Sequence, residues 1–431
     1  MTNHPHHQAS KCAFAKPAIT FATYPYFFHS FLVLALLCVV AENILAAPAQ
    51  GLKATPPSEI TAALQPFVDG HVIAGCVALV ATKDKLLCLE PVGYANIDTK
   101  KPMKADTLFW IASMTKAHSC AAFMTLVDEG KVKVDDPVEK YFSEFKGQQV
   151  GDAKDPASLH APSHPITIKE CMTHTAGLGD FNVRKWKSLK EDVAAYGKVP
   201  LKTEPGTKYQ YSVGIDIAGG IIELLTGMSY PEYVQKRLLD PLGMKDATFF
   251  PNQEQVDRLA ITVKVKADKT GIENINLNLD HQRDPRVPNG ILRQYNMDMI
   301  LEYMNHYSSP SGGLFATAED VMKFCQMLLN DGEYNGKRIL SANAVKQMTS
   351  NEIKGIGTYG FGLNTVDADG KIFSAGSYNH RGARSTMMWV DKKRQLVMVL
   401  LLQASDDLGE KEKNLYDTFT TAAIKKYGTV H

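Results

Sequence analysis

A surplus of charge is the first thing this sequence lacks: 47 lysines and arginines face 46 aspartates and glutamates across 431 residues. That balance gives no electrostatic reason to bind nucleic acid or a membrane surface, and neither is expected as a partner. Metal-ligand spacings are missing too. Neither His-Glu-x-x-His nor a paired Cys-x-x-Cys occurs, so no metal and no cofactor is expected. Cysteine is scarce, and of seven residues five lie beyond the N-terminal leader: Cys76, Cys88, Cys120, Cys171 and Cys325. An odd number at irregular spacing is not a disulfide framework. Cys76 and Cys88 fall on neighbouring strands of one expected hairpin, where a bridge competes with small buried thiols. No internal repeat or low-complexity tract stands out, and 45% hydrophobic with 22% charged residues is ordinary for a globular chain.

The long hydrophobic run of a spanning helix is also lacking. Residues 27–41 are the nearest approach, but these 15 positions include His29 and Ser30 and fall short of the ~20 a helix needs to cross a bilayer. The first fifty residues read instead as an export signal. Lys11 and Lys16 supply positive charge, residues 31–40 form an apolar core, and Ala47-Pro48-Ala49 fits a small-residue cleavage site. Cleavage is expected after Ala49, leaving a catalytic domain over 50–431 that is exported, periplasmic or secreted, with no stable membrane anchor. An uncleaved N-terminal anchor is the alternative. His4, His6 and His7 belong to the leader.

What is present centres on Ser113-Met114-Thr115-Lys116. Ala117, Cys120, Ala121, Met124, Leu126 and Val127 recur at helical spacing and run out at Glu129-Gly130, a natural C-terminal stop. Ser113 therefore stands near the first turn of a helix. Lys116, one turn on, shares its face and can reach the hydroxyl. Unpaired N–H groups at the helix start favour negative charge on an attacked carbonyl oxygen. To act as a base the amine must be uncharged, which requires burial or cationic neighbours. The preceding Leu108-Phe109-Trp110-Ile111-Ala112 offers apolar surroundings.

The rest of the chain reads as a mixed α/β pattern. A helix near residues 58–68 precedes a β-hairpin made of 76–81, a turn at Lys83-Asp84, and 86–89. Residues 147–164 are a polar surface loop. An apolar helix covers 215–225 and ends at Gly227, residues 314–329 form another, and 396–402 is a strand covered on both faces. A final helix over 413–427 turns Leu415, Phe419 and Ala422 inward. Residues 252–309 resist reading apart from a strand-like stretch at 260–265. Tyr209, Tyr211 and Val213, taken alone, read as the inner face of a strand, and His118 and His174 as structural.

Two further stations accompany the Ser-x-x-Lys. Pro205-Gly206-Thr207-Lys208-Tyr209-Gln210-Tyr211-Ser212-Val213 is one, and Asn379-His380-Arg381-Gly382-Ala383 before an apolar stretch is the other. Around them stand Gly130 to Pro137, Thr173-His174-Thr175-Ala176-Gly177-Leu178 and Gly312 to Asp320. In this order they resemble the serine β-lactamase and penicillin-binding-protein superfamily, most of all the class C β-lactamase branch with its esterases and D-amino-acid peptidases. The likeness runs from about residue 57 to the end. It implies an antiparallel sheet flanked by helices, the α/β part over about 57–135 and 310–431, wrapping a mostly helical insertion over about 136–309. Length alone would have suggested about three domains.

The resemblance implies roles. Ser113 would be the nucleophile and Lys116 its proton partner, with Tyr211 relaying the proton to the leaving group. The N–H groups of Ser113 and Ala383 would hold the oxyanion, and Gly382, His380, Arg384 and Val213 would line the substrate. Two departures lean away from β-lactams. Val213 replaces the lactamases' substrate-binding asparagine, and His380 replaces the lysine that attracts a carboxylate, leaving Arg381 or Arg384 to supply charge. The expected activity is an exported serine hydrolase working through an acyl-enzyme on a small-molecule or peptidoglycan-like acyl substrate, a carboxylesterase first. β-Lactamase, D,D-carboxypeptidase and D-amino peptidase are the competing enzymes. A penicillin-binding or sensing module without turnover is the competitor of another class.

Overall fold

Seven consecutive apolar residues at 396–402 cannot keep one face in water, and the computed structural model buries them at the middle of a sheet. It describes residues 58–179, 188–275, 308–405 and 408–428; the expected leader and cleavage site lie outside them. The sheet strands are β1 Gly75–Thr82, β2 Leu86–Asn96, β3 Lys101–Pro102, β4 Asn364–Thr365, β5 Tyr378–Gly382, β6 Thr386–Asp391 and β7 Leu396–Leu401. All pair antiparallel, in the spatial order β4-β5-β6-β7-β1-β2-β3. The helices that matter here are α1 Glu59–Asp69, α2 Thr115–Asp128, α3 Ile168–Met172, α4 Leu189–Tyr196, α5 Gly214–Thr226, α6 Ala318–Leu329, α7 Ala342–Thr349 and α8 Glu410–Tyr427.

Side chains alternate across the two central strands. Val77, Leu79, Val397, Val399 and Leu401 join the larger core, while Cys76, Ala78, Val80, Leu396, Met398 and Leu400 join the smaller. The smaller core is closed by Ile60 and Leu64 of α1 and by Leu415, Phe419 and Ala423 of α8. Each of the leucine, isoleucine and phenylalanine side chains among them contributes about 1.5–3 kcal/mol when fully buried. α8 begins three residues before the expected start, and Ala423 is its fully buried alanine, with Ala422 half-buried beside it. Cys76 faces Val92 and Cys88 faces Val80, so the two are not cross-strand partners. Both are free and buried, as are Cys120, Cys171 and Cys325; the Cys76–Cys88 bridge is not made.

On the opposite face the larger core packs α6 against β1, β6 and β7, while α2 packs with α5 and α7, and α3 and α4 pack on α5. Within the described part of 136–309 the regular structure consists of short helices and one ribbon pairing Val263–Val265 and Ile272–Asn274, joined by long loops. Two expectations shift. The helix read from 314 starts at Ala318, because Thr317 caps it by accepting the Asp320 N–H at 3.2 Å, and Phe315–Ala316 pairs instead with Phe109–Trp110. Residues 209–213 form a loop and not a strand. Among the described residues no helix is long and apolar enough to cross a membrane.

Candidate active site

The chain enters α2 through a strained turn. Ala112 takes φ +45°, a left-handed value that costs a non-glycine residue roughly 1–2 kcal/mol, and Ala112–Met114 form a single turn of 3-10 helix leading into Thr115. Ser113 sits on this turn, half-buried and open to approach. Almost every side chain of α2 is buried, so the helix lies inside the protein and its polar members need partners. Ser119 donates to the Pro310 carbonyl at 2.5 Å and shares a 2.6 Å bond with Tyr230. Thr115 Oγ1 accepts the Leu314 N–H at 3.1 Å. His118 donates from Nδ1 to the Met114 carbonyl at 3.0 Å and stacks on Phe324 at 3.9 Å. Burial pushes its pKa down to about 4.

Lys116 projects from the same face as Ser113, as the spacing requires. Its amine is buried, donates to the Ser311 carbonyl at 2.7 Å, and stands 3.4 Å from Ser113 Oγ. The second distance is long for a hydrogen bond. The amine also lies 4.7 Å from the centre of the Tyr211 ring. Tyr211 is 41% exposed, so its phenol is accessible from the open side. Lys116 thus lies close to both the Ser113 hydroxyl and the Tyr211 ring.

Strand β5 forms the opposite wall, and its pleat sorts the third motif. His380 and Gly382 face the site, whereas Arg381 emerges on the other side, its guanidinium 4.4 Å from the ring of Tyr416 on α8. Arg381 therefore brings no charge to the site. Gly382 lies against the turn before α2 so tightly that a Cβ there would stand 2.2 Å from the Ile111 carbonyl oxygen. That contact, with Thr386 Oγ1 donating to the same carbonyl at 3.2 Å, brings Ala383, the next residue, to the turn that carries Ser113. Arg384 follows in the β5–β6 turn at φ +70°, its carbonyl accepting the Ala404 N–H at 3.1 Å. Val213 is the residue before α5, half-buried against the larger core and offering no side-chain cap.

His380 is buried and neutral. Its Nδ1 is 2.6 Å from the Arg381 carbonyl, which can only accept, so Nδ1 carries the proton and Nε2 accepts from the Tyr359 hydroxyl at 3.3 Å. Burial first, and then the nearby Lys116 amine, push its pKa down to about 3. No cation stands where the resemblance puts a lysine.

Several contributors escape a reading of the sequence. Ser311 holds the lysine through its backbone carbonyl, and buried Asp216 of α5 fixes that loop by accepting the Ser311 N–H at 2.9 Å. A backbone acceptor leaves no mark in residue type, although the Ser308-Ser309-Pro310-Ser311-Gly312-Gly313 run is itself a signal. Tyr359 and His174 complete an aromatic group around Tyr211, with His174 at 4.5 Å ring to ring. Among the described residues no group of three or more His, Cys, Asp or Glu side chains could hold a metal ion.

Comparison with known proteins gives the same outline. A family model described as Beta-lactamase matches residues 60–422. Protein Rv1367c of Mycobacterium tuberculosis (strain ATCC 25618 / H37Rv) is 31% identical over 382 residues, covering 80% of this chain and 90% of the relative. Esterase EstB of Burkholderia gladioli is 26% identical over 340 residues, covering 74% and 80%. Among solved structures, unliganded simvastatin synthase (LovD) of Aspergillus terreus, in its selenomethionyl form, shares the fold at TM-score 0.71 and 18% identity, over 86% of this chain and 98% of that one. From the match of 60–422 and a relative this similar over most of both chains, the protein belongs to the beta-lactamase family.

Proposed function

We propose that this protein is a serine hydrolase that works through an acyl-enzyme and prefers carboxyl esters without a negative charge beside the scissile bond. Ser113 Oγ bonds to the ester carbonyl carbon while Lys116 Nζ takes the hydroxyl proton. The N–H groups of Ser113 and Ala383 stabilise the oxyanion, a kind of contact worth ~3–4 kcal/mol of barrier per donor. The C–O bond then breaks, and Tyr211 passes a proton to the departing alkoxide. Water attacks the acyl-serine by the same route in reverse, releasing the acid and restoring the hydroxyl.

One observation carries the ester preference: His380, at the site-facing position on β5, is buried and neutral with both nitrogens engaged. A carboxylate-bearing lactam finds no cation at position 380, Arg381 points away and Val213 offers no amide, which leaves Arg384 alone of the two neighbouring arginines to supply charge. The similarity to an esterase of Burkholderia gladioli supports the same choice.

The test is a substrate panel on the protein and its Ser113→Ala variant: a short-chain nitrophenyl ester, a chromogenic cephalosporin and a fluorescent penicillin. Ester turnover that disappears in the variant is the expected result. Faster cephalosporin turnover would replace the reading with a lactamase, and penicillin labelling without turnover would replace it with a sensor or slow peptidase.

A further inference from the structure

Tyr211 stands on a loop, and a loop holds a phenol in register only where its backbone is tied. Both ties lead to one residue. The N–H of Gln210, just before Tyr211, donates to the His174 carbonyl at 2.8 Å. The N–H of Ser212, just after it, donates to His174 Nδ1 at 3.1 Å. The same imidazole lies 4.5 Å from the Tyr211 ring, with the planes tilted by 36°. His174 is itself buried, at 1% exposure, and takes φ +58°, a left-handed conformation unusual outside glycine and asparagine.

The chemistry of the ring agrees with this geometry. Because Nδ1 accepts a hydrogen bond, the proton of the neutral imidazole is on Nε2. Burial, with Lys116 and His380 close by, holds the ring neutral, so Nδ1 stays an acceptor. Nε2 has no hydrogen-bond partner among the described residues. The bond from Ser212 is thus the hydrogen bond this imidazole makes among the described residues.

We infer that His174 is a positioning residue for Tyr211, its carbonyl and imidazole gripping the backbone on either side so that the phenol stays against Lys116. The inference rests on the acyl-enzyme reading above. His174 touches no reacting atom; it acts through the place it gives the phenol. A misplacement of about 1 Å in such a group costs on the order of 100-fold in rate.

Four variants test it, each measured for melting temperature and for kcat and KM on a nitrophenyl ester. His174→Asn keeps an acceptor near Nδ1 and tolerates positive φ. His174→Gly tolerates the same φ but has no acceptor, and His174→Phe keeps a flat ring without one. The expected result is a kcat within about threefold of the parent for Asn, and a loss of roughly 100-fold for Gly and Phe with KM little changed. Should the glycine variant not fold, the phenylalanine variant carries the comparison. In a Tyr211→Phe background the Gly substitution should cost less than about threefold more, because the group it positions is gone; a merely structural role would add in full. Parent-like kcat in Gly or Phe, equal losses in Asn and Gly, or full additivity would overturn the inference. The acyl-enzyme reading fails separately, if Ser113→Ala keeps its turnover.

Discussion

Single residues in this protein are decided by what burial does to charge. His118 and His380 are both shut away from water, and their pKa values fall from the ordinary 6.5 to about 4 and about 3. His174 moves the same way. The unfolded chain binds protons at these positions that the folded one refuses, so their stabilising effect is complete above the unfolded value of 6.5 and is lost as pH falls through the window below it. His160, exposed and paired with Glu204, shifts upward and has the opposite sign, but solvent screens it. The melting temperature should therefore fall between pH 6.5 and about pH 5, above the range in which carboxylates titrate, and His118→Leu should fall less steeply. A flat profile across that interval in the parent protein would show that these imidazoles are not held neutral.

At the scale of elements, the site is a meeting of three backbones. The turn before α2 presents Ser113, the loop at 308–313 before Phe315–Ala316 supplies the carbonyl for Lys116, and β5 closes against Ile111. The approach of β5 to Ile111 is between main-chain atoms, so it tolerates little change in side-chain volume. Gly382→Ala is the sharpest probe, since its Cβ would stand 2.2 Å from the Ile111 oxygen and one backbone must move. Overpacking of this kind costs ~1–3 kcal/mol, and a displaced Ala383 N–H should lower kcat by about 100-fold or more. Thermal melting and steady-state ester kinetics together check this. A variant with parent stability and parent kcat would mean that β5 does not set the oxyanion donors.

For the molecule as a whole, legibility followed sequence distance. Ser113 and Lys116 could be paired on paper because one helical turn joins them, and β7 because seven apolar residues admit only a doubly covered strand. The capped start of α6 and the loop at 209–213 were harder, since Thr317 and the grip of His174 override the local pattern. Ser311 reaches Lys116 across 195 residues of chain, and Asp216 reaches Ser311 across 95; no periodicity reports such contacts. His380 is legible as a position, but its burial and its partners, Tyr359 and the Arg381 carbonyl, are assembled only by the fold. The central claim is that Ser113 carries the acyl group, and rapid-quench mass spectrometry with a nitrophenyl ester tests it most directly. The account predicts one added acyl mass on the peptide containing Ser113, absent from Ser113→Ala; acylation at another residue, or ester turnover that survives in that variant, would contradict it.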